Sequence, residues 1–345
     1  MIGGSSIGGK REGLARALLS SGLASLLERL HARDSLLVLS YHRIGNSSND
    51  LFDSGVFSAT AEELDEQVAY LKNTLSIVTP EEAIAFIDGS TQEITRRCRV
   101  LFTFDDGYLD NYKIAYPILR SHGVQGVFFL STGIVGSCNI PWWDQIAYRI
   151  KTAHKRQFTL HYPTNYSIDI DKNGAEKSIQ TILKFYKMPI NQDSARFMRE
   201  LAEAAEGEEP PRNLRRFLDW NEARKMIAGG MTIGSHAHSH QILSRMTAEM
   251  QQEELSKSRV ILNQKLGIDV QALAYPVGHR DSFSELTQTL AQASGYRCAF
   301  SHHGGANIQG NISPFDVKRA KIHGQGSLLL RARTAVVRAT GSYWP

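Results

Sequence analysis

A chain of 345 residues with 42% hydrophobic and 9% aromatic content can bury a large core, which argues against disorder outside the ends and suits one large α/β domain with insertions. The formal charge of +4 comes from 39 basic and 35 acidic residues spread along the chain with no basic stripe, so nucleic acid is not an expected partner. Cys98, Cys138 and Cys298 are odd in number, widely separated and without zinc-finger spacing, which argues against a disulfide scaffold and suits a reducing compartment.

The first nine residues lack the charged start and apolar run of a secretory signal, so a cytoplasmic location is expected. Leu19, Leu23, Leu26, Leu27 and Leu30 fall at helical spacing among Lys10, Arg11, Arg16, Glu28, Arg29 and Arg33, which predicts an amphipathic extension over residues 1–34. Its basic content permits peripheral contact with an anionic inner membrane, although packing against the domain's own surface is the commoner use.

Residues 35–41 read as an apolar strand that delivers His42 and Arg43 to its end. Helices are predicted over 61–75 and 80–87, the second opened by Thr79-Pro80. A buried strand over 99–104 then stops on Asp105, Asp106 and Gly107. One aspartate there could cap the following helix, but the second has no structural task, and strand carboxyl ends are where α/β folds bind ligands. A strand over 126–131 follows, then a helix introduced by Pro141-Trp142-Trp143-Asp144, whose tryptophans could stack on a sugar ring or pack in the core, with Asp144 as a candidate cap. Residues 152–217 are charged and helical and read as an insertion covering one side of the domain, with Arg212, Arg215 and Arg216 on a solvated helix face.

Strand signals return over 231–234, 270–275, 297–301 and 316–322, separated by helices over 247–266 and 284–293. About seven strand-helix units result, compatible with a mainly parallel barrel spanning residues 35–323, with 324–345 as a C-terminal tail. Between two of these units lies Ser235-His236-Ala237-His238-Ser239-His240. His236 and His240 project to one side if the backbone is helical, and such a pair can bind one metal. Two imidazoles plus a strand-end aspartate would leave an open position for water, the arrangement of a catalytic zinc site rather than a structural one.

At these residues the chain resembles the metal-dependent polysaccharide deacetylases of the NodB-like type, carbohydrate esterase family 4. Thr103-Phe104-Asp105-Asp106-Gly107 and His236-Ala237-His238-Ser239-His240 match the family's first two motifs in order and spacing, and Ala274-Tyr275-Pro276-Val277-Gly278 is similar to the third motif of the exopolysaccharide deacetylase branch. The resemblance implies a distorted (β/α)7 barrel with its site at the strand carboxyl ends. It implies Asp105 as general base, Asp106, His236 and His240 as ligands of a divalent metal (Zn2+, with Co2+, Ni2+ or Mn2+ able to use the same donors), and no metal role for His238. The Val277 backbone N–H is the expected oxyanion donor, and Trp142, Trp143 and Tyr275 are the expected sugar contacts. Where many members carry an arginine that pairs with the base, this chain has Ala274, which leaves Arg280 or Arg43 as substitutes. His323 is the nearest candidate for the general acid, with His302 and His303 as others. The implied activity is hydrolysis of the acetamide of N-acetylhexosamine units in a polysaccharide or glycoconjugate precursor. The rivals are a glycan-binding barrel that has lost turnover and a hydrolase of a non-sugar amide.

Overall fold

The computed structural model describes residues 34–90, 98–322 and 327–340. The predicted amphipathic extension, apart from Asp34, lies outside them, as does His323.

Seven strands carry the architecture: β1 (Ser35–Tyr41), β2 (Cys98–Phe104), β3 (Gly126–Leu130), β4 (Thr232–Ser235), β5 (Ala272–Ala274), β6 (Cys298–Phe300) and β7 (Arg319–Lys321). They pair in parallel in the order β6-β5-β4-β3-β2-β1-β7. The curled sheet closes through one parallel bridge, Phe300 to Val317, held by Val317 N–H to the Ala299 carbonyl (2.9 Å) and Ser301 N–H to the Val317 carbonyl (2.8 Å). This thin seam, beside the short strand Asn307–Ile308 that runs antiparallel to β1, is where the (β/α)7 barrel is distorted. Among the described residues ten helices complete the frame: α1 (Ala61–Thr74), α2 (Pro80–Ile87), α3 (Tyr116–Ser121), α4 (Trp142–Lys151), α5 (Ala175–Lys187), α6 (Ser194–Ala205), α7 (Trp220–Ala228), α8 (Ala248–Leu266), α9 (Glu285–Ala293) and α10 (Ser327–Thr340). A further single turn spans Ile170–Asn173. No helix of the described residues is long and apolar enough to cross a membrane.

The strands read as nearly continuous apolar runs because both of their faces are buried. Alternate residues separate into two cores. Leu37, Leu39 and Tyr41 of β1, Val100, Phe102 and Phe104 of β2, and Phe128 and Leu130 of β3 pack with the surrounding helices. Leu36, Val38, Leu101, Val127, Phe129, Ala272, Ala274, Cys298, Phe300 and Val317 meet inside the barrel together with Ala83, Ile84, Phe86 and Ile87 of α2. Capping boxes at Thr60 and Thr79 set the starts of α1 and α2, each contributing about 1 kcal/mol.

Residues 152–217 contain more than helix. A hairpin pairs Gln157–Leu160 with Tyr166–Asp169, and α5 and α6 pack with α4 around a third core of Trp142, Trp143, Ile146, Ile179, Leu183, Tyr186 and Phe197. The expected basic face here is not a helix. Arg212 and Arg215 are exposed, but Arg216 turns inward to Asp144 (3.2 Å) and stacks over Phe52. Asp144 does not cap α4, whose N-cap is Pro141; it is fully buried and accepts the Asp53 N–H (3.1 Å). Within the expected C-terminal tail, α10 lays Leu330 and Val337 into the main core. Cys138 and Cys298 are free thiols.

Candidate active site

The inward register of the strands builds the site. Two-residue periodicity carries Leu36 and Val38 on to Ser40 and His42, Leu101 to Thr103 and Asp105, Cys298 and Phe300 to His302, and Val317 to Arg319 and Lys321. Polar groups from four strands therefore emerge together at one end of an apolar barrel. Asp106, next in sequence to Asp105, would point the opposite way in a continuing strand. Its φ of 72°, followed by Gly107 at 76°, turns the backbone so that both carboxylates stay at the barrel's end.

Asp105 is completely buried and tied down. Its Oδ1 accepts from Arg319 Nη1 at 2.7 Å, its Oδ2 lies 3.2 Å from His302 Nε2, and its backbone N–H reaches the Tyr41 carbonyl at 2.9 Å. Arg319 is itself fully buried and donates to the Ser301 carbonyl (3.1 Å). Burial alone would raise the Asp105 pKa, but the Arg319 charge and the His302 hydrogen bond hold it well below the usual carboxylate range. Burial, and then the Arg319 charge, push His302 well below the usual histidine value, so it is neutral. His42 approaches from the other side with Nε2 3.9 Å from Asp105 Oδ2, and burial lowers its pKa to about 4 against the pull of both aspartates.

Neither expected orienting arginine reaches Asp105. Arg43 pairs with Asp110 (2.9 Å) and Asp50 (2.5 Å), and Arg280 is exposed. Arg319 does the pairing instead, from a different strand, so Ala274 removes no partner from the base. The signal that could have found it was the register of the last strand, in which Val317, Arg319 and Lys321 share the inward face. His303 is committed to Asp316 (2.9 Å) and stacks on Phe283.

Asp106, His236 and His240 form the second half of the site, with one donor atom from each lying within 4.8 Å of the others. The histidines do not sit on a helix. Ala237 (φ 59°) and His240 (φ 57°) adopt left-handed conformations in a loop pinned by the Glu254 carboxylate, which accepts from the His238 and Ser239 N–H groups and from Ser239 Oγ at 2.7–3.0 Å. That loop brings His236 Nε2 to 3.4 Å and His240 Nε2 to 3.1 Å from Asp106 Oδ1. His236 Nδ1 is 2.7 Å from the Ala274 carbonyl, an acceptor that requires the proton on Nδ1 and leaves the Nε2 lone pair directed at Asp106. His238 faces Thr132 Oγ1 (2.8 Å), outside the cluster.

This trio fits a divalent cation. Asp106 Oδ1 is buried within ion-pair distance of both imidazoles yet in hydrogen-bonding geometry with neither. Ligands bound tetrahedrally at zinc lengths stand roughly 3.3 Å apart, close to the spacings found.

The cavity above the site is lined by His42, Asp106, His236, His240 and His302, by Gly55, Val56, Trp142, Trp143, Leu183 and Val277, and by Asp53, Gln180, Lys187, His279 and Lys321. Trp142 and Trp143 line it but are more than nine-tenths buried: Trp142 stacks on Tyr186 (4.2 Å between centroids), and Trp143 packs on His240 and donates to Tyr108 Oη at 2.6 Å. Tyr275 is not a sugar contact. It is buried, stacked on Phe283, and donates to the Phe315 carbonyl (3.0 Å). Val277 borders the cavity with φ 64°, an unusual conformation for a β-branched residue, and its N–H has no acceptor among the described residues.

Fold and cluster together define an α/β barrel protein with a cation-ready polar site at the carboxyl ends of its strands. Residues 92–299, more than half the chain, match the polysaccharide deacetylase family, and the chain belongs to it. It is 22% identical over 271 residues to a putative polysaccharide deacetylase, YxkH, of Bacillus subtilis (strain 168), a match covering 79% of this chain and 66% of that protein. Its fold is similar to that of the deacetylase PplD of Streptococcus pyogenes, solved in complex with acetate (TM-score 0.56, 18% identity, 86% of this chain and 97% of that one). It is also similar to IcaB from Ammonifex degensii (TM-score 0.57, 20% identity, 87% and 96%).

Proposed function

We propose that the protein is a metal-dependent N-deacetylase that hydrolyses the acetamide of N-acetylhexosamine units in a polysaccharide or glycoconjugate precursor. The observation that carries this reading is the juxtaposition of an unsatisfied Asp106–His236–His240 trio with a second carboxylate, Asp105, kept ionised by a buried arginine. Asp106, His236 and His240 would hold the cation, with zinc favoured by two imidazoles and a carboxylate and with cobalt, nickel and manganese suited to the same donors. Bound there, the ion supplies Lewis acidity, polarising the acetamide carbonyl and making water a better proton donor.

The chain's own groups do the rest. Asp105 accepts the proton of the attacking water at Oδ2, while Arg319 and His302 keep its carboxylate from rotating. The Val277 N–H donates to the oxyanion that develops on the carbonyl oxygen. His42 Nε2, on the cavity wall beside Asp105 Oδ2, passes a proton to the leaving amine. With a pKa near 4 the imidazole is neutral at rest, so the proton it delivers is the one Asp105 has just taken. Acetate, the ligand of the similar S. pyogenes deacetylase, is the product this chemistry releases.

Acetate release by the metal-loaded chain from N-acetylated oligosaccharides tests the reading. If a chain carrying close to one metal ion releases no acetate from any N-acetylated glycan, the deacetylase reading fails. Retained sugar binding would then identify a binding barrel, and turnover of a cyclic ureide would identify a non-sugar amidase.

A further inference from the structure

One carboxylate in the catalytic cavity takes no part in the hydrolysis. Asp53, in the segment between β1 and α1, lines the cavity together with Gly55 and Gln180, yet the residue is only 4% exposed. Its surroundings hold it in place. The Asp53 N–H donates to Asp144 Oδ1 (3.1 Å), and the preceding turn is fastened from α4 by Lys151 Nζ, which donates to the Asp50 and Phe52 carbonyls (2.8 and 2.9 Å). Asp53 Oδ1 accepts from the Gly55 N–H (2.8 Å) and from Gln180 Nε2 of α5 (3.4 Å). A Cβ on Gly55 would stand 2.5 Å from that amide nitrogen, so the glycine leaves room for Gln180 beside the carboxylate.

The second oxygen, Oδ2, is different. It meets no donor among the described residues, and it is not sealed from solvent, so in a residue this buried it opens on the cavity. Burial raises the Asp53 pKa against the Gly55 hydrogen bond and the charges of Lys187 and Lys321, which line the same cavity. Those two ammonium groups already supply opposite charge, so what Oδ2 lacks is a hydrogen-bond donor and not a further cation. An unmatched acceptor in a nearly buried residue is costly, and a ligand that brings the donor recovers that cost. Hydroxyls are the donors that a sugar ring offers. A carboxylate with an amide N–H at its side suits one, because the hydroxyl donates to the first and accepts from the second.

We propose that Asp53 Oδ2 is a sugar-recognition site. It accepts a hydrogen bond from one ring hydroxyl of the acetylated sugar, with Gln180 beside it as the accompanying donor, and so selects the substrate by the position of that hydroxyl. This rests on the deacetylase reading for the acetylated sugar, but the free acceptor stands on its own geometry.

The test crosses substrate with side chain. A disaccharide with N-acetylglucosamine at its non-reducing end is compared with its 3-deoxy, 4-deoxy and 6-deoxy analogues, on the wild type and on Asp53→Asn, which keeps an oxygen for the Gly55 N–H and places a donor where the free acceptor stood. Acetate release by the metal-loaded full chain gives kcat/KM, and calorimetry with the same sugars gives binding. In the wild type one deoxy analogue should lose roughly ten- to hundredfold in kcat/KM, the size of a hydrogen bond to a charged group. Asp53→Asn should lower turnover of the parent disaccharide by a similar factor, leave that analogue nearly unchanged and keep its metal. Gln180→Leu, at an exposed position, should show a smaller loss at the same hydroxyl and carries the test if the Asn variant does not fold. Equal turnover of all the sugars by the wild type, or an equal loss for all of them in Asp53→Asn, would overturn the recognition site and leave the deacetylase intact. Binding that depends on one hydroxyl and on Asp53, without acetate release, would support the site while the deacetylase reading fails; absence of both would end the proposal.

Discussion

Asp105 and Asp106 are consecutive in sequence, and their surroundings are opposite. Asp105 is saturated: Arg319 holds one oxygen and His302 meets the other. Asp106 faces two imidazoles without a hydrogen bond to either, and its Oδ1 is buried and unsatisfied. A carboxylate gripped by an arginine is positioned for a proton-transfer role, whereas one that faces the Nε2 lone pair of His236 and makes no hydrogen bond to His240 suits a cation between them. Identical side chains one residue apart acquire different tasks because the left-handed backbone at Asp106 sends them to different neighbours.

The sharpest way to break this contrast is on the Asp106 side. His240→Ala should lower zinc content of the reconstituted chain from near one per chain to near zero by metal analysis and abolish acetate release; retention of full metal content would mean the trio is not the ligand set. On the other side, Asp105→Asn should keep its metal while acetate release falls by about 10²–10⁴-fold, the usual contribution of a general base. A parallel loss of metal would show that the two carboxylates share one role.

Arg319→Met probes the saturated side through stability. Removing one partner of a fully buried pair leaves the Asp105 charge uncompensated, which should cost about 3–5 kcal/mol in denaturant unfolding. Adding Asp105→Asn should recover a large part of that loss, because the double variant no longer buries an unpaired charge; strict additivity would show that the pair does not interact.

A third buried carboxylate, Asp144, refines the comparison. Arg216 lies 3.2 Å away, yet burial outweighs that charge and raises its pKa to about 6. The folded state therefore holds this proton up to a higher pH than the unfolded chain does, so stability falls as pH rises from about 4 through about 6. The expected change is at most about 3 kcal/mol, given roughly two pKa units. Urea midpoints at pH 4.5 and 7.5 for the wild type and Asp144→Asn should show the variant losing this component, and identical pH dependence would contradict it.

Much of the site was legible in the chain because its signals are local. Strand-Asp-Asp-Gly announces two acids at a strand end, the histidine cluster announces imidazoles with the donor chemistry for a cation, and strand-helix alternation announces a parallel barrel. Arg319 was not legible in that way, since it lies 214 residues from the carboxylate it pairs with and no local pattern links them. His42 and His302 were visible as histidines, but their convergence on Asp105 depends on how seven strands pair and where the barrel closes. Tyr275 failed as a sugar contact because a residue beside a motif can face the outer core, and only packing against Phe283 shows that it does.

The sequence by itself determined the repeating strand-helix frame, the two acids and the histidine cluster, because hydrophobic periodicity and turn chemistry act over a few neighbouring residues. Only the tertiary structure decided which arginine holds Asp105, which histidines stand beside it and that Lys187 from the insertion lines the cavity, because those relations are set by long-range strand register and by the docking of the insertion onto the barrel.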